Sequence, residues 1–414
     1  MKRSISVFVI VCLASFLSVV PVHASNVVVD WNSIASTVII TNGTKPSVTS
    51  AVWFAYVQLA VYDAVNAISH RYEPFLFRMN GPVHASKDAA AIAAAHRILV
   101  NYFPSQSASL DALYTSSIAA VTDNVFDIQA GTVIGDQAAR TLIAARAHDG
   151  LNADVPYTPP AGNGYWQPTP PAFAPPLTPW LGKMTPFTMN SPAQFLPDEG
   201  PTPLDSLEWI EDYNLTRILG AINSPVRTPE QTEAGRFWTE HTGQQYARAF
   251  RQLATERSLD VVETARLFAM LWTGFADAGI GCWNAKFTFS FWRPVTAIRS
   301  GGGNPLLTAD PEWTPLAATP AHPEYPAAHG CVTGVVAETL KAFFRNPNIP
   351  LSVTSTVTGT AHTFANGRDL QREVFGARIY AGFHYSHSLV DGFTLGHKVA
   401  HQMSRKYFRA THTN

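Results

Sequence analysis

The chain has 414 residues, a formal net charge of −1 at neutral pH, 46% hydrophobic residues and 14% charged residues. This composition is enough to bury a large core and argues against disorder. The charge balance gives no sign of a nucleic-acid partner or of a membrane-surface patch. The length predicts one large domain or two to three smaller ones.

The first residues have the pattern of an export signal. Lys2 and Arg3 precede an apolar run over residues 4–20, and Ala24 ends a small-residue cleavage pattern. We expect residues 1–24 to be a signal peptide that is cleaved near Ala24, and the mature protein to be soluble and periplasmic or extracellular. No later uncharged apolar run reaches the roughly 20 residues that a membrane span needs, so no span is expected in the mature chain.

Cleavage would remove Cys12 and leave Cys282 and Cys331. An even pair in an oxidising compartment favours a disulfide, whereas two buried thiols are just as common. Both alternatives stay open, because sequence does not fix the distance between the two Cα atoms.

Apolar periodicity predicts a mostly α-helical protein built from packed bundles. The helical patterns lie at 49–69, 86–103, 105–122, 129–148, 205–222, 229–249, 258–280, 329–345, 369–381 and 391–407. Residues 155–203 are instead rich in Pro, Gly and aromatic residues, which predicts a long irregular connection packed across the surface. The segment 351–358 is the one strand candidate.

His329 falls in or near the first turn of the predicted helix 329–345, after Pro326-Ala327-Ala328. A helix N-terminus has unpaired N–H groups and a positive dipole end, so it favours an anion. An imidazole placed there can donate to that anion or exchange protons with it. For an isolated histidine, the structural alternative is a residue that packs or caps the helix.

Three further residues are cations in a chain that is poor in charge. Lys286 and Arg293 lie seven apart in "WNAKFTFSFWRP", and Arg378 lies six before His384 in "ARIYAGFHYSHS". Cations among aromatic residues are costly unless an anion pairs with them, and three of them suit a tetrahedral oxyanion. The histidines would bond the central atom and carry out acid–base chemistry. Taken singly, each residue also has a structural interpretation, such as a surface lysine or an ion pair.

The order Lys-x6-Arg-Pro, Pro-x-x-His and Arg-x5-His resembles the vanadium haloperoxidase and type 2 phosphatidic acid phosphatase superfamily, in particular its exported, soluble haloperoxidase-like branch. The segments "VQLAVYDAVNAI", "GYWQPTPPAF" and "FWRPVTAIR" extend the resemblance over nearly the whole mature chain. It implies an all-α fold with the oxyanion in the core of a four-helix bundle. It also implies a helical catalytic domain at 204–414, preceded by a helical region at 25–203 that includes the Pro-rich connection.

The resemblance also implies roles for single residues. Lys286, Arg293, Arg378 and the backbone of Ala328 would bind the oxygens of vanadate or phosphate. His384 would coordinate vanadium, or attack phosphorus in a phosphatase, and Lys286 would add to catalysis. His329 would be the acid–base residue that faces the apical oxygen.

Two more positions concern the binding and choice of the halide. Trp283 corresponds to an aromatic position near the halide site of haloperoxidases. His322 stands where the family tends to have Phe in chlorinating members and His in brominating members, so bromide is the expected halide.

The sequence also departs from the family pattern. The usual motif Pro-Ser-Gly-His reads Pro-Ala-Ala-His here, so Ala327 lacks a hydroxyl that would contact the oxyanion. The missing hydrogen bond to a charged group would contribute roughly 1.5–3 kcal/mol to oxyanion binding. Ser388 stands where the family often has an Asp that orients the final histidine, and Asp391 is the nearest substitute along the chain.

We therefore expect a vanadate-dependent haloperoxidase whose substrates are hydrogen peroxide, a halide and a small organic acceptor. The alternative is an acid phosphatase that cleaves phosphate esters through a phosphohistidine, with phosphate in the same site. A third alternative is an exported anion-binding protein without catalytic activity. The two histidines beside three cations argue against this last one.

Overall fold

The structure, a computed structural model, describes residues 26–411, so the predicted export signal lies outside the described residues. Within that range the fold is all-α, as predicted, apart from one β-hairpin. The helices of the first half are α1 (Val27–Ser36), α2 (Ser50–Ser69), α3 (Lys87–Tyr102), α4 (Ser107–Ala119) and α5 (Val125–Ala145). A π-helical segment (Thr37–Asn42) follows α1, and 3₁₀ turns occur at Pro104–Gln106 and Pro179–Lys183.

The second half contains eight more α-helices and the hairpin. The helices are α6 (Leu207–Leu219), α7 (Pro229–Phe237), α8 (Thr242–Glu256), α9 (Val261–Phe289), α10 (Pro294–Ser300), α11 (Ala328–Phe344), α12 (Gly367–Tyr380) and α13 (Ser386–Lys406). The hairpin strands are β1 (Leu351–Ser355) and β2 (Thr360–Phe364), which pair antiparallel with Leu351 opposite Phe364. The strand candidate 351–358 therefore supplies β1.

Helix α9 is the central element of the fold. It begins at a capping box, in which Asp260 accepts from the Glu263 N–H and the Glu263 side chain accepts from the Asp260 N–H. It packs against α2 and also against α11 and α13, while α12 packs against α11. Because α9 is covered on several sides, it is apolar around most of its circumference. The bundle of α9, α11, α12 and α13 holds most of the predicted site residues.

Helix α2 is buried along its length and packs on α3, α5 and α9. Its length and hydropathy would also allow a membrane span, and its most apolar 18-residue window is completely buried inside the fold. One apolar core contains residues of both the N-terminal helices and the bundle. The predicted domain boundary between 203 and 204 stays a prediction.

The predicted helix 229–249 is in fact two helices. Thr228 and Gln231 form a capping box that begins α7, and His241 caps α8 by accepting from the Gln244 N–H through Nδ1 at 3.2 Å. Residues 239–245, "TEHTGQQ", contain no apolar residue, but Trp238 and Tyr246 on either side are eight apart and so keep the helical period, which hides the break. The break matters for function because it places Trp238 and Thr242 beside the predicted site.

Other boundaries also differ from prediction. Helix α9 extends to Phe289 rather than to 280, so that Trp283 and Lys286 lie on it. The segment 155–203 is irregular as predicted, and its aromatic residues Trp166 and Trp180 are buried. Helices α1 and α10 and strand β2 were not predicted, since each is too short to show a clear period.

Candidate active site

The N-terminus of α11 opens onto a cavity of about 400 Å³ lined by Ala328, His329 and His384. Ala327 is the N-cap of this helix and makes no side-chain capping bond. The N–H groups of the first turn therefore have neither an intrahelical nor a capping partner. The side chain of Ala327 packs in a buried apolar cluster with Ile379 and Leu389. This helix end is a ready position for an anion.

His384 lies at the same cavity and is held from behind by a carboxylate. Its Nδ1 atom is 2.8 Å from Oε1 of Glu324, and both side chains are almost fully buried. Donation from Nδ1–H to Glu324 fixes the tautomer and leaves Nε2 as the unprotonated ring nitrogen, with Nη1 of Arg293 at 3.3 Å. Burial, then the charges of Arg293 and Lys286, lower the pKa of His384 well below its usual value. The imidazole is therefore neutral and presents Nε2 as a ligand or nucleophile.

Glu324 is itself held by several donors. Its Oε2 accepts from the Ser388 hydroxyl at 2.5 Å, and its Oε1 accepts from the Tyr385 N–H at 3.2 Å. Burial raises the pKa of Glu324 to about 7, and the Ser388 hydrogen bond and the Lys286 and Arg293 charges counteract that rise. With these donors and cations around it, we assign Glu324 as the carboxylate that orients His384.

Asp391 does not take this role. It accepts from the Tyr325 hydroxyl and lies 3.1 Å from Nε2 of His387. The substitute suggested by spacing was therefore wrong, because Asp391 lies in the second turn of α13 and pairs with the side chain four residues before it. Ser388, at the family's aspartate position, contributes by donating to Glu324 instead.

Arg293 is fully buried and contacts both His384 and His322. Its Nη1 atom lies 3.3 Å from Nε2 of His384 and donates to the Phe383 carbonyl at 3.0 Å. Its Nη2 atom lies 3.0 Å from Nδ1 of His322, and its Nε donates to the His322 carbonyl at 2.9 Å. Burial lowers the pKa of Arg293 to about 10, so the guanidinium keeps its charge at neutral pH. It brings a cation within reach of the atom that His384 would bind.

Arg378 borders the cavity, and part of its hydrogen-bonding capacity is unused. Nη1 donates to the Trp238 carbonyl at 2.6 Å, whereas the buried Nε atom has no partner within residues 26–411. Burial, with a further effect of Arg293, lowers its pKa to about 9, which still leaves it charged. A buried guanidinium N–H without an acceptor is costly, so this site is suited to an oxyanion.

Lys286 is fully buried, and its ammonium group is surrounded by backbone carbonyls. Nζ donates to Pro323, Glu324 and Pro326 at 2.9, 2.8 and 2.6 Å, which uses all three of its donors. Burial lowers its pKa to about 8. In this arrangement Lys286 fixes the loop before α11 and adds positive charge to the site. Direct contact with an oxyanion, which would require the exchange of one of these bonds, stays a prediction.

His329 lines the cavity and contacts the N-terminus of α8. Its Nε2 atom is 3.1 Å from the Thr242 hydroxyl, and the Trp238 carbonyl also hydrogen-bonds its ring. Burial and the Arg378 charge lower its pKa well below the usual value, so the ring is neutral and able to accept a proton. The Thr242 N–H donates in turn to the Ser47 hydroxyl at 2.8 Å.

Trp283 and His322 lie side by side at the same cavity, with their ring centroids 4.9 Å apart. The Trp283 indole N–H donates to the Leu177 carbonyl at 3.2 Å, which fixes its orientation. Burial, then Arg293 and Lys286, lower the pKa of His322 well below its usual value, so it is neutral. Their role as a halide site stays a prediction.

Cys282 and Cys331 are both buried as free thiols in this structure. The Cys282 thiol contacts the Pro326 carbonyl at 3.6 Å. Of the two alternatives that the sequence left open, the structure therefore has the unbridged pair, on α9 and α11 below the loop that Lys286 holds.

The donor set fits a tetrahedral oxyanion such as vanadate. His384 supplies the unprotonated Nε2 next to Arg293, Arg293 and Arg378 supply guanidinium groups, and α11 supplies uncapped N–H groups. A vanadate held in this way needs only one protein atom bonded to the metal. A metal-cation site would instead need several carboxylates and imidazoles as ligands. The fit rests in particular on the unpartnered Nε of Arg378.

Two residues of this arrangement, Glu324 and Thr242, were not among the predicted site residues. Glu324 stands five before His329 inside the loop "HPEYPAAHG", and it is a lone acid in an apolar stretch. That isolation is a signal that could have indicated a buried, functional carboxylate. Thr242 gave no such signal, since it contacts His329 from 87 residues away along the chain.

Comparison with known proteins points to the same superfamily. Residues 266–413 match a family model described as the vanadium chloroperoxidase (VCPO) second helical-bundle domain. The vanadium chloroperoxidase of Curvularia inaequalis is 27% identical over 199 residues, a match that spans 40% of this chain and 32% of that protein. The chain thus matches about a third of the length of this relative.

Solved structures resemble the chain over almost its whole length. A structure described as the first bacterial vanadium-dependent iodoperoxidase has a TM-score of 0.78 and 22% identity, covering 94% of this chain and 98% of that one. A holo-type bacterial vanadium-dependent chloroperoxidase has a TM-score of 0.73 and 17% identity, covering 93% and 96%. The matched bundle domain and the curated relative agree with the resemblance of the motifs, and the fold over almost the whole chain is that of the vanadium haloperoxidases.

Proposed function

We propose that this protein is an exported vanadium-dependent haloperoxidase, which uses vanadate and hydrogen peroxide to oxidise a halide and to halogenate organic acceptors. The observation that carries the proposal is the pair of neutral imidazoles at one cavity. His384 offers Nε2 as a ligand while Glu324 holds its Nδ1, and His329 offers a neutral ring as a base. The relatives described above, all vanadium peroxidases, support the same choice.

In this proposal each residue of the site has a separate role. Arg293, Arg378 and the N–H groups at the start of α11 would hold the oxyanion, and His384 would bond its central atom. When bound, vanadate supplies a Lewis-acid centre that activates peroxide without a change of its own oxidation state. His329 would accept the proton released from peroxide and return it later, since its neutral ring borders the cavity.

Bromide is the halide that we propose, ahead of chloride. The polar ring of His322 packs on Trp283 where an apolar aromatic residue would keep the site drier. A drier site strengthens the electrostatic activation of the oxidant, which the harder oxidation of chloride requires. Nη2 of Arg293 also lies within hydrogen-bond distance of both His322 ring nitrogens, so this part of the guanidinium is turned toward His322 and leaves fewer donors for an oxyanion.

The test is reconstitution with orthovanadate, followed by halogenation of a phenol-type dye with peroxide and each halide in turn. We expect dye bromination that needs vanadate and that is lost in His384→Ala. Hydrolysis of a phosphate monoester is measured in parallel with vanadate-free protein. Absence of halogenation by protein that has bound vanadium would contradict the proposal.

A phosphatase is the second candidate, and one observation favours it. A neutral histidine with its Nδ1 held by a buried carboxylate is also a suitable nucleophile, and His329 is placed to protonate a leaving alcohol. Efficient ester hydrolysis with a trapped phosphohistidine at His384, and no halogenation, would support this function instead.

A further inference from the structure

The backbone carbonyl of Trp238 holds two residues of the candidate site at once. It accepts from Nη1 of Arg378 at 2.6 Å, and it also hydrogen-bonds the ring of His329. Because Trp238 is the C-cap of α7, its carbonyl has no partner within that helix. A displacement of this one carbonyl would therefore move an oxyanion-binding guanidinium and the acid–base imidazole together.

The indole of Trp238 is fixed by Glu373. The tryptophan is fully buried, and its Nε1–H donates to Oε1 of Glu373 at 2.9 Å. The indole also meets the His329 ring edge-on, with centroids 6.3 Å apart. A buried N–H that lost its acceptor would be costly, so the bond to Glu373 selects one orientation of the indole. That orientation in turn constrains the carbonyl of the same residue.

Helix α12 carries both side chains that hold Trp238. Glu373 and Arg378 stand five residues apart on this helix, and one binds the indole while the other binds the carbonyl. Helices α12 and α7 also pack against each other. Two attachments at different ends of one residue fix both its position and its rotation, which a single hydrogen bond would not do.

Glu373 is held in turn by His362 on β2. Its Oε1 atom lies 2.7 Å from Nδ1 of His362, whose Nε2 lies 3.0 Å from Oε2 of Glu233. The imidazole also stacks on Phe237, with centroids 3.9 Å apart. Glu373 thus uses the same oxygen for His362 and for Trp238, so an amide oxygen at this position could accept the same two hydrogen bonds.

We propose that Glu373 is a positioning residue of the candidate active site, which acts through Trp238 on Arg378 and His329. Glu373 lies outside the set of residues that line the cavity, and its link to the site is the indole N–H. The inference rests on the proposed function, since it names a residue that serves the same reaction from outside the cavity.

The main experiment compares two variants of similar size. Glu373→Gln keeps an oxygen for Trp238 and His362, whereas Glu373→Met has a similar length and no acceptor of comparable strength. Calorimetry gives the affinity for orthovanadate, and bromide turnover at saturating vanadate gives kcat. We expect Glu373→Met to lower both by about tenfold or more, and Glu373→Gln to stay within about twofold of the unmodified protein.

A double-mutant cycle shows whether Glu373 acts through the indole. Trp238→Phe keeps a buried aromatic ring but has no N–H for Glu373, so it should weaken vanadate binding about as much as Glu373→Met. In the Trp238→Phe background, Glu373→Met should cause no further loss of vanadate affinity, although it still removes the contact with His362.

Glu233→Met is the structural control. It breaks the other ion pair of His362 and leaves the bond between Glu373 and Trp238 in place. We expect this variant to lower the midpoint of thermal unfolding, as Glu373→Met does, and to leave the affinity for orthovanadate unchanged. A general loss of stability would instead lower the affinity in both variants.

The possible outcomes are separable. Equal losses in Glu373→Met and Glu373→Gln, or a loss in Glu373→Met that adds fully to that of Trp238→Phe, would overturn the proposal. Unchanged affinity and kcat in Glu373→Met would overturn it as well. If Glu373→Met does not fold, Trp238→Phe removes the same hydrogen bond from its other end, and unchanged affinity there would be decisive. If the vanadium-loaded protein oxidises no bromide, the proposed function fails, and the vanadate affinities still decide the role of Glu373.

Discussion

Nδ1 of His384 lies 2.8 Å from Oε1 of Glu324, a residue 60 positions earlier in the chain. The contact joins the loop before α11 to the loop before α13. It sets the tautomer of His384 and so determines that Nε2 is the atom presented to the cavity. Ser388 and the Tyr385 N–H hold the carboxylate in turn. The ligand geometry therefore depends on a residue that does not itself reach the oxyanion.

Replacement of this carboxylate should weaken vanadate binding. Glu324→Gln keeps the shape of the side chain but removes the charge that fixes Nδ1–H, and changes of this kind typically cost about 10–100-fold in metal affinity. The dissociation constant of orthovanadate, measured by calorimetry, tests it. Glu338→Gln, which alters a surface ion pair with Lys341, is the control. Unchanged affinity in Glu324→Gln would show that His384 is oriented by other contacts.

The Thr242 hydroxyl should matter for turnover rather than for vanadate binding. Thr242→Val removes the partner of His329 Nε2 with little change of shape, and misplacement of a catalytic group can cost up to about 10²-fold in rate. We expect kcat to fall and the pH–rate profile to shift, while vanadate affinity stays the same. Thr242→Ser should restore activity. A loss that serine does not rescue would indicate a packing role instead.

The residue at position 322 should set the halide preference. The unmodified enzyme should oxidise bromide clearly faster than chloride. His322→Phe removes a buried polar ring and its contact with Nη2 of Arg293. The ratio of the bromide rate to the chloride rate should therefore fall by about tenfold, equivalent to about 1.4 kcal/mol in the barrier. Rates with each halide under identical peroxide and vanadate give the comparison. Equal rates of bromide and chloride oxidation by the unmodified protein would show that His322 does not set a preference for bromide.

Stability should fall at alkaline pH because of His387. The hydrogen bond with Asp391 raises the pKa of His387 from 6.5 to about 9. A raised folded-state pKa means that the pair stabilises the fold fully below about 6.5, and that this contribution is lost as the pH rises through about 9. Since the histidine side chain is 33% exposed, we expect a contribution on the order of 1 kcal/mol.

Urea unfolding of the unmodified protein and of His387→Gln, at pH about 6 and about 10, measures this contribution. The difference in unfolding free energy between the two proteins should be present at the lower pH and largely absent at the higher one. A difference that does not change with pH would mean that the pair does not titrate in this window.

Much of this structure could be predicted from local sequence. Long apolar periods located α2 and α11, and the spacing of Lys286, Arg293, Arg378 and His384 indicated one oxyanion site. The helices could be predicted because their periodic residues are close together in the chain. The site could be predicted because the order of its motifs is visible without knowing the distances between them in the fold. The structure accordingly brings Arg293, Arg378, His329 and His384 around one cavity or into direct contact with its lining.

Other features depend on contacts that local sequence does not contain. The partner of His384 is Glu324 rather than Asp391, because the fold of the loop, not the spacing along α13, determines which acid lies nearest. The break between α7 and α8 falls in a polar stretch whose flanking apolar residues, Trp238 and Tyr246, keep the helical period. The three backbone carbonyls that accept from the Lys286 ammonium could not be predicted either, because backbone oxygens carry no sequence signature.

The division of labour between His384 and His329 is the central claim of this account. It is tested most directly by measuring bound vanadium per chain, and bromide turnover at saturating vanadate, in the unmodified protein, His384→Ala and His329→Ala. We predict one vanadium per chain in the unmodified protein, loss of vanadium and activity in His384→Ala, and retained vanadium with turnover reduced by about 10²–10⁴-fold in His329→Ala. Equal loss of vanadium in both variants, or a vanadium-loaded unmodified protein that oxidises no bromide, would contradict the account.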